Sequence, residues 1–143
     1  MDKVEEIIVE DWSGRLAEAH RMQDEAKARG ESLPSELPNG LPACPVATTV
    51  SLVGNRWRPL IVRELLSGTK RFGQLQRAVS GVSQKVLTQN LREMEAAGLV
   101  TRTVYPEVPP RVEYSLTEAG FSLEPVIDAM WRWGAAYQTS RAC

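Results

Sequence analysis

The hydrophobic period of this chain changes at Gly98, and that change limits the folds open to it. Before Gly98, apolar side chains recur every three or four residues along 83–97, as they do in a helix with one buried face. After it, residues 99–105 and 111–116 are rich in β-branched and aromatic side chains with partial alternation, which is typical of strands. Three prolines within 106–110 stiffen the connection between these strands. The sequence therefore predicts a helix followed directly by a β-hairpin with a long tip.

Shorter helical segments precede that helix. Apolar side chains at three- and four-residue steps predict them at Val46–Val53, about Trp57–Leu66 and about Phe72–Val79. Ser83 is expected to cap the helix over 83–97, because its hydroxyl can accept a hydrogen bond from an orphan amide of the first turn. Three helices, the last with a polar face, followed by a hairpin, predict a winged helix-turn-helix. We expect a mainly α fold with a small two-stranded β-hairpin, in the α+β class.

Two further segments extend this body. Residues 1–30 are predicted to form an N-terminal helical extension, either as one helix or as two pieces divided at Ser13-Gly14. Residues 31–43 are predicted to be a proline-rich linker, since prolines remove amide donors and fix φ. Residues 44–143 are then the winged helix-turn-helix domain, which ends in a helix over about Ser122–Tyr137.

Charge is distributed unevenly, although the formal net charge is only −1. Residues 1–40 carry ten acids and five bases, a net charge of −5. Residues 51–92 carry eight bases and one acid, Glu64, a net charge of +7. A positive local field attracts polyanions whatever the charge of the whole chain. The window 51–92 therefore favours nucleic acid as a partner. The alternative is a basic face that is exposed only to solvent and binds no partner.

The polar face of the helix over 83–97 suits the major groove of double-stranded DNA. Glutamine can pair with adenine through two hydrogen bonds, lysine can pair with guanine, and threonine can contact the thymine methyl group. The first turns of a recognition helix usually make the base contacts. The base-edge candidates are Ser83, Gln84, Lys85, Thr88 and Gln89. The candidates for phosphate or wing contacts, which position a protein without reading sequence, are Arg56, Arg58, Lys70, Arg71, Arg77, Arg92 and Arg111.

Thr117 is expected to cap the segment that follows the hairpin. The last helix is too apolar for an isolated surface helix on so small a body. One interpretation places its apolar side chains in the core of the chain. The other, which we favour, is a seam against the same helix of a second subunit, to which the N-terminal helix adds. The predicted dimer-interface residues are Leu123, Val126, Ile127, Met130, Trp131, Trp133, Tyr137, Ile8 and Trp12. A homodimer would place two recognition helices on half-sites about one duplex turn apart.

Signals for an enzyme, a metal site, a cofactor or a membrane segment are weak. The segment 68–73 has the glycine spacing of a phosphate-binding loop, but Gln74 and Leu75 replace the lysine and hydroxyl residue of that motif. Two cysteines and one histidine are too few for a zinc site or a disulfide scaffold. We therefore expect no enzyme activity, no cofactor and no metal. Since neither a membrane-length apolar run nor a signal peptide is visible, we expect a cytoplasmic protein.

Several segments match the pattern of a known family. They are Cys44-Pro45-Val46, Gly54–Trp57, Leu60–Leu65, Arg71–Leu75, Ser83–Thr88, Leu91–Val100 and the hairpin Tyr105–Thr117. Through them, residues 44–134 resemble the HxlR-type winged-helix transcription regulators, relatives of the MarR group. The resemblance implies a bacterial homodimeric repressor or activator that binds operator DNA. The chain departs from the pattern at Asn55-Arg56, where the family often has Gly-Lys, and at Gln74, where an acid often stands.

Cys44 is a candidate redox sensor, because the resemblance implies that a cysteine before the proline at this place senses oxidants or electrophiles in several members. A thiol just ahead of a helix N-terminus lies at the positive end of the helix dipole, which favours the thiolate form. A thiolate reacts with peroxide or quinone and can bridge to a second thiol. Cys143 is either that second thiol or incidental. The alternative for Cys44 is a small residue buried at a helix entry.

Two other functions remain open. A ligand-sensing regulator would hold an unknown small molecule in an aromatic pocket near the dimer helices. A winged-helix protein-interaction module would have lost DNA binding altogether. Salt-dependent binding to the chain's own promoter region separates the module from a regulator, and the response of thiol-blocked protein separates ligand sensing from redox sensing.

Overall fold

The computed structural model describes residues 3–30 and 38–141, and for residues 3–13 and 16 it describes the backbone alone. The chain divides into two compact units, Met1–Leu52 and Val53–Cys143.

In the first unit, helix α1 spans Lys3–Ala28 and runs unbroken through Ser13-Gly14. One continuous helix is therefore the correct interpretation of this segment, and the division into two pieces is wrong. Gly30 follows the helix at a φ of 66°, a left-handed conformation that glycine adopts readily at helix C-termini. Helix α2 spans Pro45–Val53. Its first residue is a proline, which is suited to that position because the amide it lacks would have no partner within the helix.

Three short helices build the core of the second unit. Helix α3 spans Arg58–Leu66, α4 spans Phe72–Ala78 and α5 spans Gln84–Ala96, each within two residues of the helix predicted there. The apolar side chains at helical spacing face inward. Those that lose all or nearly all solvent contact are Ile61, Val62, Leu65, Leu75, Leu87, Leu91 and Met94. Their removal from water is the main favourable contribution to packing these helices together.

Three antiparallel strands form the wing, in the order β1-β3-β2. The hairpin consists of β2, Val100–Tyr105, and β3, Arg111–Leu116, as predicted. A third strand, β1, Lys70–Arg71, was not predicted and pairs with the outer edge of β3. A segment of two residues is too short to show the alternation by which strands are recognised.

The chain ends in a short helix α6, Glu118–Phe121, and a longer helix α7, Glu124–Arg141. Thr117 caps α6, since its Oγ1 accepts a hydrogen bond from the Gly120 amide at 3.2 Å. The fold is a winged helix-turn-helix of the α+β class, as predicted. Within residues 3–30 and 38–141, no helix combines the length and apolar character needed to cross a membrane.

Candidate nucleic-acid interface

Local sequence fixes the start of α5. Ser83 is the N-cap, and its Oγ accepts a hydrogen bond from the Val86 amide at 3.2 Å. Val82 and Leu87, on either side of the cap, are both buried and have the spacing of a hydrophobic staple. The cap satisfies one orphan amide, and the staple sets the angle at which the chain enters the helix. The buried side chains of α5 then hold its opposite face toward solvent.

That opposite face is the α5 surface, which we define as Gln84, Lys85, Thr88, Gln89 and Arg92. These five side chains together line an open hollow of about 570 Å³. Four of the five predicted base-edge residues thus lie side by side with Arg92, which was predicted to contact phosphate. Ser83 lies outside the lining of the hollow, and its oxygen is engaged at the cap.

Several side chains of the α5 surface are held by neighbours on the same helix. The Thr88 hydroxyl donates to the Gln84 carbonyl at 2.7 Å. Gln89 Nε2 donates to Glu93 Oε1 at 3.3 Å. Among the described residues, Lys85 and Arg92 make no ion pair, so their positive charges are uncompensated at the surface.

The other cations predicted to contact phosphate differ in availability. Arg71 and Arg77 are exposed on or next to α4. Lys70 donates to Ser67 Oγ at 2.8 Å, and the exposed Arg56 guanidinium lies 4.7 Å from the ring centroid of its neighbour Trp57. All four keep their charge near the surface, where it can act on a polyanion.

Arg58 differs from these four. Its side chain is only 12% exposed, forms an ion pair with Glu93, and donates through Nε to Asn90 Oδ1 at 3.1 Å. Because its guanidinium is held between two residues of α5, we remove Arg58 from the phosphate-contact candidates. Its position instead supports the attachment of α5 to the start of α3.

Asn90 is the central residue of this attachment and was missed by the sequence analysis. It is buried, accepts from Asn55 Nδ2 at 2.7 Å, and donates to the Val86 carbonyl at 2.9 Å. Asn55 Oδ1 in turn accepts from the amides of Trp57 and Arg58 at 2.9 and 2.8 Å, which caps the first turn of α3. The signal was present, because residue 90 lies at helical spacing on the apolar face of α5 and a polar residue there requires buried partners.

In the wing, Arg111 lies between two carboxylates and against an aromatic ring. Its guanidinium lies 3.3 Å from Glu107 and 3.4 Å from Glu113, and 4.1 Å from the ring centroid of Tyr105. Its side chain is 29% exposed. The geometry gives Arg111 a role in holding the hairpin together, besides the DNA contact that the sequence predicted.

Helix α7 exposes most of the apolar set predicted for dimerisation. Ile127 is buried within its own chain, whereas Leu123 and Val126 are half-buried. The large exposed side chains are Met130, Trp131, Trp133 and Tyr137, with Trp131 61% and Trp133 69% exposed. Trp133 and Tyr137 stack with their ring centroids 5.2 Å apart. The side chains of Ile8 and Trp12 lie outside the described residues.

Cys44 lies in the first unit, at the residue before α2. Its thiol is free and the residue is exposed, so burial at a helix entry, the alternative that the sequence left open, is not what the structure shows. Its carbonyl accepts the first hydrogen bond of the helix from the Thr48 amide at 3.1 Å. Cys143 lies outside the described residues.

Comparison with known proteins identifies the family. Residues 52–142 match the model of the HxlR-like helix-turn-helix family. An HTH-type transcriptional regulator of Methanothermobacter thermautotrophicus is 46% identical over 94 residues, which are 66% of this chain and 72% of the relative. The residues that match the family model include α5 and the wing.

Two solved structures share the fold at high identity. The oxidised form of the redox regulator HypR is 44% identical, with a TM-score of 0.62 over 65% of this chain and 96% of HypR. The reduced form of the transcriptional regulator YodB from Bacillus subtilis is 41% identical, with a TM-score of 0.57 over 63% of this chain and 89% of YodB. With the capped helix α5, the wing and the family match in agreement, this chain belongs to the HxlR-like helix-turn-helix transcriptional regulators.

Proposed function

We propose that this regulator binds an operator in double-stranded DNA as a homodimer, and that oxidation of Cys44 changes this binding. The observation that carries the proposal is the α5 surface, where polar side chains and two uncompensated cations line one open hollow on a helix with a buried opposite face. An α-helix with such a face fits the major groove, which is wide enough to admit it.

Each candidate has a distinct role in this proposal. Gln84, Lys85, Thr88 and Gln89 contact base edges, with Ser83 at the helix start. The phosphate contacts that set position and orientation come from Arg56, Lys70, Arg71, Arg77 and Arg92. We assign Arg111 to the organisation of the wing and to its contact with the backbone. Residues 44–143 act as the DNA-binding and dimerisation domain, with 31–43 as a linker and 1–30 as an appended helix.

Homodimerisation is supported by the exposed apolar side chains of α7. Met130, Trp133 and Tyr137 recur at three- and four-residue steps and so form one stripe along the helix. Exposed apolar patches of this kind mark protein interfaces. Two copies joined along this stripe present two α5 surfaces to successive half-sites, and an operator with two-fold symmetry follows from that arrangement. Repression is the mode we propose, because occupancy of a promoter needs nothing beyond binding.

The test of DNA binding uses a duplex from the chain's own promoter region. Lys85→Glu replaces a cation of the α5 surface by an anion, so we expect affinity in fluorescence anisotropy to fall by about tenfold or more. Arg63→Glu is the matched control, since it makes the same charge reversal on an exposed residue outside that surface. Equal affinity of the two variants would show that α5 is not the reading helix. No salt-dependent binding by the wild type would favour the protein-interaction module.

The redox input is supported by the exposed thiol of Cys44 and by the similarity of this chain to HypR, a redox regulator. Hydrogen peroxide oxidises a thiol to a sulfenic acid and releases water. We expect peroxide to change operator affinity in the wild type and to leave Cys44→Ser unaffected. Cys143→Ser shows whether the second thiol takes part. A response that persists in Cys44→Ser excludes the thiol switch and favours a small-molecule ligand as the input.

A further inference from the structure

A smaller cleft adjoins the α5 surface and lies between α5 and the sheet. It has a volume of about 290 Å³ and is lined by Thr88, Leu91, Arg92, Glu95, Arg102 and Tyr114. We call it the α5–sheet cleft. Thr88 and Arg92 belong to both the cleft and the α5 surface. Whatever enters the cleft therefore lies next to DNA held on α5.

The register of the sheet explains why two of these residues meet. Arg102 on β2 lies directly opposite Tyr114 on β3, so both side chains project from the same face of the sheet. The helix contributes Thr88, Arg92 and Glu95 at steps of four and three residues, which lie on one side of α5. Two rigid elements thus supply the walls, and no loop is needed to complete them.

The cleft contains polar donors that the protein does not use. Tyr114 is only 8% exposed, and its hydroxyl makes no hydrogen bond to any described residue. The Tyr114 hydroxyl is not among the enclosed side-chain polar atoms that lack a hydrogen bond in the described part of the chain, so it retains solvent contact. Arg92 and Arg102 form no ion pair in the described part of the chain. Two guanidinium groups and one phenol are therefore available to a single occupant.

We infer that the α5–sheet cleft binds a phosphate group, with Arg92, Arg102 and Tyr114 as its donors. Two arginines against the single carboxylate of Glu95 leave the cleft with a net positive charge. Guanidinium groups match phosphate oxygens through paired hydrogen bonds, and the phenol adds a neutral donor. The volume leaves room for the attached sugar as well.

The phosphate has two available sources, the backbone of DNA bound to α5 and a free phosphate ester. The first rests on the proposed function, because it requires DNA on the α5 surface. The second does not, since a free ester needs only the cleft. In both cases Arg102 and Tyr114 become binding residues, although neither was selected from the sequence.

The first arm measures binding to a DNA duplex of about 20 bp, two helical turns, at salt concentrations from about 50 to 200 mM. Arg102→Gln removes one phosphate contact, so the slope of log affinity against log salt should become shallower by about 0.9. Over that range the wild type should lose about threefold more affinity than the variant. Arg63→Gln makes the same charge change outside the cleft and should keep the wild-type slope.

Two further variants test the cleft without removing a cation. Tyr114→Phe keeps the buried ring and removes only the hydroxyl, so affinity should fall by about tenfold with an unchanged salt slope and melting temperature. Glu95→Gln removes the carboxylate from the cleft and should raise affinity. A merely structural role for Tyr114 would instead lower the melting temperature and leave affinity intact.

The second arm titrates inorganic phosphate into DNA-free protein and follows the NMR signals of Tyr114 and Arg102. Saturable shifts that Arg102→Gln abolishes identify a site for free phosphate, whereas a slope change in the first arm without such shifts identifies the DNA backbone as the source. If the wild type binds no duplex, the proposed function fails and the phosphate titration alone decides this inference. The inference is wrong if three results coincide: the wild type binds the duplex, the variants match its affinity at every salt concentration, and phosphate causes no NMR shifts.

Discussion

Gly120 occupies the most crowded glycine position described in the chain. A Cβ atom there would overlap the carbonyl oxygen of Leu99 and the side chain of Leu116, where the sheet meets α6. Alanine usually stabilises a helix relative to glycine. At residue 120 this gain is outweighed, because a backbone oxygen has little freedom to move aside.

We therefore expect Gly120→Ala to lower the free energy of unfolding by about 1–3 kcal/mol. Urea denaturation followed by circular dichroism measures this change. Gly73→Ala in α4 is the matched control, since its Cβ would meet only Arg77 Nη1 at an ordinary 3.6 Å. A stabilised Gly120→Ala variant would mean that the junction between sheet and helix is looser than this packing indicates.

Individual caps could be predicted from sequence, whereas ion pairs and hydrogen bonds between residues far apart in the chain could not. Ser83 and Thr117 act on amides three residues away, so the sequence alone determines their partners. Arg58 depends on Asn90 and Glu93, which are more than 30 residues away along the chain. A local pattern shows only that Arg58 is a cation, and an exposed phosphate contact is then the simplest hypothesis.

At the scale of elements, periodicity predicted the helices and the hairpin because each repeats its apolar spacing over several residues. One exception was α6, whose four residues lie before the predicted start of the last helix. The other was β1, whose two residues owe their strand conformation to hydrogen bonding with β3 rather than to their own pattern. The addition of β1 places Lys70 opposite Tyr114 and so completes a row across the sheet with Arg102. The α5–sheet cleft could not be predicted for the same reason, since it depends on the register of strands against a helix.

The wing depends on one central cation. Arg111 lies between Glu107 and Glu113 and against the ring of Tyr105, so Arg111→Gln leaves two carboxylates without their shared partner. We expect the unfolding free energy to fall by about 1 kcal/mol, because partly exposed ion pairs and cation–π contacts are each worth little more. Amide hydrogen exchange should become faster in β2 and β3 than in α5. Glu113→Gln in the same background should restore part of the protection, and uniform exchange across the domain would show that Arg111 does not organise the hairpin.

At the scale of the whole molecule, one α5 surface reads only one half-site. A homodimer doubles the contacts and fixes the distance between half-sites at about one helical turn. The proposed seam must therefore be rigid as well as apolar. The stack of Trp133 on Tyr137 supplies flat aromatic area that loses little side-chain entropy on association.

Trp133→Glu tests this arrangement, because it places a carboxylate in the middle of the proposed seam. An unpaired charge buried at an interface is costly, so we expect sedimentation equilibrium to show a monomer where the wild type is a dimer. Thr139→Glu adds the same charge at an exposed residue of α7, a third of a turn or more away from each of Met130, Trp133 and Tyr137, and should remain dimeric. The Trp133→Glu monomer should bind a duplex with two half-sites no more tightly than a duplex with one, whereas the wild type should prefer two. A Trp133→Glu protein that stays dimeric and keeps that preference would place the dimer contact elsewhere in the chain.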